Sequence, residues 1–293
     1  MSNREVDAIR EMLSSRPRPG GLAERRDRLD GLGAAFALPP DVRTESVQAG
    51  SVVAEWTETP GAEPGRVILF LHGGGYVSGS IRSHRHMIAE AGRQAKARTL
   101  ALGYRLAPEH PFPAALDDAL AGYRFLLSSG LDPAAIVLAG ESAGGGLAVA
   151  TLVSLRDAGD PLPARIWCSS PWVDLTMSGW TMTSKAAVDP LIQRDYLTEL
   201  AGAYLHGADP RNPLVSPIHA DLRGLPPMLI QVGSAETLLS DSVALAARAG
   251  EADVRVTLQV WPEMIHAWHL FHPQLAAGRE ALHEVGRFVR AGS

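Results

Sequence analysis

The stretch Ala135-Ile136-Val137-Leu138-Ala139-Gly140-Glu141-Ser142-Ala143-Gly144-Gly145-Gly146-Leu147 decides how the rest of the chain is read. Its first five residues form a continuous apolar run, the mark of a short strand buried on both faces. From Gly145 to Val153 only small and apolar residues and one threonine follow, which predicts a helix packed closely on a sheet. Between the two, Gly140-Glu141-Ser142-Ala143-Gly144 fits a sharp strand-to-helix turn. Glycines two residues before and after the serine suit such a turn, because side chains there would collide. G-x-S-x-G alone arises by chance. Between a buried strand and a helix it lifts the hydroxyl to the top of the sheet and makes Ser142 a candidate nucleophile.

Working outward, the same alternation continues in both directions. Val52, Ala54 and Trp56 alternate with polar neighbours as a half-exposed strand does, and Arg66–Leu71 is a central apolar strand that runs into His72-Gly73-Gly74-Gly75-Tyr76. A helix over 82–97, a strand over 99–102 and a helix over 114–127 lead to the Ser142 strand. Further strands are expected at 164–170, 228–232 and 254–260. Strands alternating with helices predict an α/β fold with a mostly parallel sheet covered on both faces. Two amphipathic helices are expected within residues 1–40, separated by Pro17, Pro19 and Gly20. Residues 176–212 hold no strand pattern, only a helix around Asp195–Tyr204, and are read as an insertion over the sheet. The organisation expected is therefore N-terminal cap helices (1–45), a first core part with the nucleophile (46–175), a cap insertion (176–212) and a second core part (213–293).

The 293 residues are 46% hydrophobic, enough to bury a large core, and the formal net charge of −5 offers no electrostatic footing for nucleic acid. No apolar run is long enough to span a bilayer, and Met1–Gly20 lacks the apolar region of a secretory signal, so a cytoplasmic location is expected. Cys168 is the only cysteine, in an apolar segment where a buried, inert thiol is expected.

A serine nucleophile needs a base, a carboxylate to orient that base, and donors for the developing oxyanion. In an open parallel sheet these belong on loops at the carboxyl ends of the strands. The loop Gly73-Gly74-Gly75 leaves a central strand there, and its N–H groups, with that of Ala143, can surround a carbonyl oxygen over Ser142. A Walker loop is excluded, because no Gly-Lys-Ser/Thr follows. Of ten histidines, His266 follows the last strand and comes last in chain order, as the base does in a Ser, acid, His succession. His266, His269 and His272 spread around a helix without a carboxylate motif, so no metal is expected. His269 and His272 are expected to be surface or packing residues, and His72 to brace the glycine loop. His84 and His86 sit at the start of a helix with no evident partner. The acid should follow the strand 228–232, where Glu236 and Asp241 stand. Ser240 and Asp241 directly precede a helical run and one of them is a natural N-cap, so Glu236 is preferred.

Together these motifs resemble the hormone-sensitive-lipase-like family of α/β-hydrolases, the bacterial esterases with an HGGG motif. The resemblance rests on His72–Tyr76, on Tyr104–Glu109 with Pro111–Ala115, on Gly140–Gly145, on Ser170-Pro171-Trp172-Val173-Asp174 and on His266, and spans nearly the whole chain. It implies an eight-stranded core, a helical cap and no cofactor. It implies a serine carboxylesterase acting on small-molecule esters with short-to-medium acyl chains, without stable membrane insertion, and it allows a homodimer through the last strand. Matched position by position, Ser142 is the nucleophile, His266 the base, and Gly74, Gly75 and Ala143 the oxyanion donors. Glu236-Thr237-Leu238 stands where the family usually has Asp-Pro-Leu, Asp241 matches a structural aspartate, and Glu141 is expected to be structural, hydrogen-bonded beneath the loop. Tyr76, Trp180, Tyr196, Leu200 and Tyr204 are candidate pocket walls. A lactone hydrolase would use the same residues, and a ligand-binding protein on this fold is the alternative outside enzymes.

Overall fold

In the computed structural model, which describes residues 4–15 and 17–291, the chain runs α1 (Arg4–Ser14), α2 (Leu22–Ala34), β1 (Arg43–Ala49), β2 (Val52–Glu58), β3 (Glu63–Leu71), α3 (Ile81–Ala95), β4 (Ala97–Gly103), α4 (Ala114–Ser128). It continues β5 (Ile136–Glu141), α5 (Ala143–Ala158), β6 (Arg165–Ser169), α6 (Thr181–Ser184), α7 (Arg194–Leu205), β7 (Met228–Gly233), α8 (Leu239–Glu251), β8 (Val256–Trp261) and α9 (Ala276–Arg290). The strands make one eight-stranded sheet in the order β1-β2-β4-β3-β5-β6-β7-β8. The β1–β2 and β2–β4 pairs are antiparallel and the others parallel.

The order explains where chemistry can sit. After β4 the chain crosses back over β3, so β3 and β5 are neighbours although β4 separates them in sequence. Loops leaving two such strands diverge and open a crevice at their carboxyl ends. The register pairs Leu71 with Gly140, which brings the glycine loop after β3 level with the turn after β5.

The period of two along β3 divides the core. Val67, Leu69 and Leu71 pack on one face with α4, α5 and α8 through Tyr123, Leu147, Leu152 and Leu245. Ile68 and Phe70 pack on the other with α1, α3 and α9 through Val6, Met87, Leu282 and Val285. Each such side chain stabilises the fold by roughly 1.5–3 kcal/mol when fully buried. Cys168 is buried, as expected, and its thiol is pushed up to about 12 by burial.

Residues 176–212 form no strand and carry α6 and α7. The segment before α2 and α2 itself reach α7 through ion pairs, Arg18 to Asp195 at 2.7 Å and Arg25 to Glu199 at 3.1 Å. The Arg25 guanidinium also lies 4.9 Å from the centre of the Tyr196 ring. Arg26 ties α2 to the core by a two-pronged bond to Glu109 and by the carbonyls of Val77 and Ala107. Among the described residues, no helix is long and apolar enough to cross a membrane.

Candidate active site

Ser142 occupies the turn between β5 and α5 with φ 54° and ψ −121°, a region a non-glycine residue rarely visits. Holding it there costs about 1–3 kcal/mol, which the surroundings must supply. They do so with backbone hydrogen bonds: the Ser142 N–H donates to Ser169, and its carbonyl accepts from Gly145, Gly146 and Trp172. The glycines are required by contact. A Cβ on Gly140 would lie 2.1 Å from the Gly144 carbonyl oxygen, and one on Gly144 would lie 2.1 Å from that of Leu71.

The Ser142 hydroxyl oxygen lies 3.0 Å from His266 Nε2, and His266 Nδ1 lies 2.9 Å from Glu236 Oε2. All three are buried, at 7%, 4% and 0% exposure. His266 stands on the loop after β8 and Glu236 on the turn between β7 and α8. Two backbone bonds lash these loops together, Ser234 N–H to the Trp261 carbonyl and Ala235 N–H to that of Met264. Glu236 Oε1 accepts from the Gly233 N–H at 2.6 Å and from the Ser170 hydroxyl at 2.7 Å, so the carboxylate cannot swing away. As an acceptor it fixes the proton of neutral His266 on Nδ1 and leaves Nε2 to accept from Ser142.

Burial, the largest influence on His266, would lower its pKa. The hydrogen bond and charge of Glu236 outweigh it, with Glu141 and Asp189 adding to them, and raise the imidazole to about 9. Burial likewise raises the Glu236 carboxyl, opposed by His266, Gly233 and Ser170. Facing carboxylates favour the charged imidazole.

Gly74 and Gly75 have φ of 113° and 66°. A Cβ on Gly74 would meet the Ser78 carbonyl oxygen at 2.2 Å. Ser78 holds the loop through its N–H and hydroxyl, both donating to the Gly74 carbonyl. His72 braces it from below: its Nδ1 donates to the Gly73 carbonyl at 2.8 Å, and its ring stacks on Tyr104, centres 4.1 Å apart. Burial lowers His72 to about 3, so it stays neutral. Among the described residues, no protein acceptor takes the N–H of Gly74, Gly75 or Ala143.

A cavity of about 230 Å³ opens over these groups, bounded by Gly74, Gly75, Ser142 and His266 below and by Leu29, Leu32, Ile192, Tyr196 and Leu200 above. Two expected wall residues, Tyr196 and Leu200, therefore line it. The others do not. Tyr76 and Tyr204 stack on each other at 3.8 Å, buried away from the lining, because aromatic faces in the α7 interface find each other first. Trp180 is 60% exposed at the head of α6.

Other expectations need correction. Asp241 is not an N-cap: α8 begins at Leu239, and the buried Asp241 carboxylate accepts the N–H groups of Val173 and Asp174, each at 3.1 Å. Ser240 bonds Thr181 instead. His84 does have a partner, Glu141, at 3.0 Å, and His86 meets the Leu270 carbonyl at 2.7 Å. His269 is buried between Ser169 and Gln231, and His272 stacks on His86, so both are packing residues. No group of metal-ligating side chains occurs among the described residues.

Three contributors escaped the sequence reading. Ser170, at φ 45°, steers Glu236, and Asp189 accepts the Thr237 N–H at 2.8 Å while holding Leu191 and Ile192, so it ties the cavity wall to the Glu236 turn. His84 is the third. Asp189-Pro190 carried a turn signal that could have found the second. The motif Ser170–Asp174 drew attention to Ser170 without giving it a role, and nothing local marks His84; their partners lie 66 and 57 residues away.

An α/β-hydrolase family model matches residues 68–270, the span that holds the glycine loop, the Ser142 turn, Glu236 and His266. The chain belongs to the α/β-hydrolase fold family. It is 47% identical over 298 residues to an acetyl-hydrolase of Streptomyces hygroscopicus, covering all of this chain and 98% of that protein. It is 31% identical to an esterase of Acinetobacter venetianus, over 90% of this chain and 87% of the other. A crystal structure of an esterase from the bacterial hormone-sensitive lipase family superposes with a TM-score of 0.97 at 44% identity over 99% of both chains. Within the family this chain is thus an esterase of the hormone-sensitive-lipase branch.

Proposed function

We propose that the protein is a serine carboxylesterase that hydrolyses small esters with short-to-medium acyl chains through an acyl-enzyme. The observation that carries this is the hydrogen-bonded series Ser142 Oγ, His266, Glu236, set on a strained turn at the floor of a cavity. Ser142 attacks the ester carbonyl as its proton passes to His266 Nε2, and Glu236 stabilises the imidazolium from Nδ1. The N–H groups of Gly74, Gly75 and Ala143 receive the oxyanion. His266 then protonates the leaving alcohol, and water repeats the steps on the acyl group.

The acyl preference follows from size. A cavity of about 230 Å³, below the ~300–1,000 Å³ of sites for drug-sized ligands, supports a preference for the shorter acyl chains. The segment 1–45 and the insertion 176–212 act as the cap that excludes water, a role supported by their shared lining of the cavity. A relative named acetyl-hydrolase agrees with a short acyl group.

The test is hydrolysis of p-nitrophenyl esters from C2 to C16 by wild type and Ser142→Ala. Turnover should peak at short chains and vanish in the variant; equal turnover of C2 and C16, or activity surviving Ser142→Ala, would sink the proposal. The base must be neutral to act, and its pKa is raised. The acid limb of kcat/KM is therefore expected above the ordinary histidine value of ~6.5, with activity rising with pH through it.

A further inference from the structure

Glu141 sits inside the turn that carries Ser142, yet its side chain does more than fill space. Oε2 lies 3.0 Å from His84 Nε2, and Oε1 lies 3.4 Å from His266 Nε2, the nitrogen that faces Ser142. That second oxygen is buried and has no hydrogen-bond partner. The side chains of His84 and Glu141 are 1% and 4% exposed, and both residues border the cavity over Ser142. Gly73 makes room for this carboxylate, since a Cβ there would lie 1.8 Å from Oε2.

We propose that Glu141, oriented by His84, is a second carboxylate for His266, a positioning residue acting on its Nε2 side as Glu236 acts on its Nδ1 side. This rests on the proposed roles of Ser142, His266 and Glu236. The contacts of His84 support it. The Ser83 hydroxyl accepts from the Ser80 N–H and donates its one proton to the Ser80 carbonyl. The 2.8 Å contact between Ser83 and His84 Nδ1 is therefore filled by the Nδ1 proton. His84 Nε2 faces both the Gly73 N–H at 3.3 Å and Glu141 Oε2 at 3.0 Å, so the ring joins the glycine loop to the carboxylate. Tied through Oε2, the carboxylate keeps Oε1 turned to His266.

In the resting state His266 Nε2 accepts the Ser142 proton and offers Oε1 nothing. Once His266 has taken that proton, its Nε2–H has Oε1 within reach, and the imidazolium lies between two carboxylates. The pair thus favours the state that exists only after proton transfer, which is where stabilisation raises kcat. Other ionisable groups facing His266 are Glu236, Asp189 and His269; behind His84 and Glu141 stand His72 and Tyr104.

The experiment is the pH profile of kcat/KM on p-nitrophenyl acetate for wild type, Glu141→Gln and His84→Gln, with Ser142→Ala alongside. Glu141→Gln keeps the volume and loses the charge. Its acid limb should move down by on the order of one pH unit, and kcat should fall roughly tenfold with KM held. His84→Gln shortens and frees the side chain that holds Oε2, so its limb should move the same way by a smaller amount. A folded Glu141→Gln with its limb unmoved overturns the proposal, as does His84→Gln moving the limb up. If Glu141→Gln does not fold, His84→Gln decides alone: a downward shift supports the pair, and an unmoved or raised limb rejects it. Activity persisting in Ser142→Ala would instead overturn the underlying catalytic assignment, so the two failures are distinguishable.

Discussion

Glu236 and Asp241 lie five positions apart after β7, and each is a wholly buried carboxylate whose pKa burial raises. They differ in what they meet. Glu236 faces an imidazole at 2.9 Å, and that imidazole reaches the Ser142 hydroxyl. Asp241 faces two backbone N–H groups of the segment after β6 and nothing that reacts. Burial alone therefore says little about a carboxylate's use, and the partner decides. One extra methylene lets Glu236 accept from Gly233 and Ser170 on one oxygen while the other reaches His266. Asp241 instead pins the first turn of α8 to the loop after β6.

The contrast breaks most sharply in activity. If Glu236 is the proposed acid, Glu236→Gln should lower kcat/KM by roughly 10³–10⁴, the scale seen when a triad carboxylate loses its charge in serine proteases. Asp241→Asn, which keeps an oxygen for both N–H groups, should stay within about threefold. A reversed outcome in steady-state kinetics would exchange their roles.

Next in size is the glycine loop proposed to receive the oxyanion, which lies on the Glu236 side of the comparison. Gly74→Ala should lower kcat by roughly 10²–10³ on the scale of losing one donor, because the new Cβ displaces the loop from Ser78. Retained kcat would remove Gly74 from the proposed set. Ser170→Ala deletes one of the two bonds that steer Glu236, and a loss of about 1 kcal/mol predicts a fivefold fall in kcat/KM. No fall would mean that Gly233 alone holds the carboxylate.

The smallest effect sharpens the Asp241 side. Its folded pKa is raised to about 8, above the unfolded ~3.9, so the folded state keeps a proton that the unfolded state releases. Stability from this group is present below pH ~4 and is lost as pH rises towards about 8. Asp241→Asn should flatten that slope, narrowing by a few degrees the difference in thermal midpoint between pH 5 and pH 8. An unchanged slope would show that Asp241 does not carry the proton.

Much of this molecule is local and therefore readable. Apolar runs of five or six residues name the strands, because a parallel strand covered on both faces has no polar side to alternate. The Ser142 turn declares itself through glycines that contact geometry requires. His266 follows from its place after the last strand. Where the sequence misled, distance was the cause: Asp241 looked like a cap because its true partners, Val173 and Asp174, are nearly seventy residues back, and Tyr76 and Tyr204 looked like walls until they stacked on each other.

By itself, then, the chain determined the α/β alternation, the strained serine turn, the glycine loop and the last histidine, since these depend on periodicity and on turn chemistry within a few residues. Only the tertiary structure set Glu236 rather than Asp241 beside His266, joined Glu141 to His84 and His266, and chose the cavity walls. Each of those depends on strand order and register, which bring side chains from separate loops within hydrogen-bond distance, and no local pattern records which of them will meet.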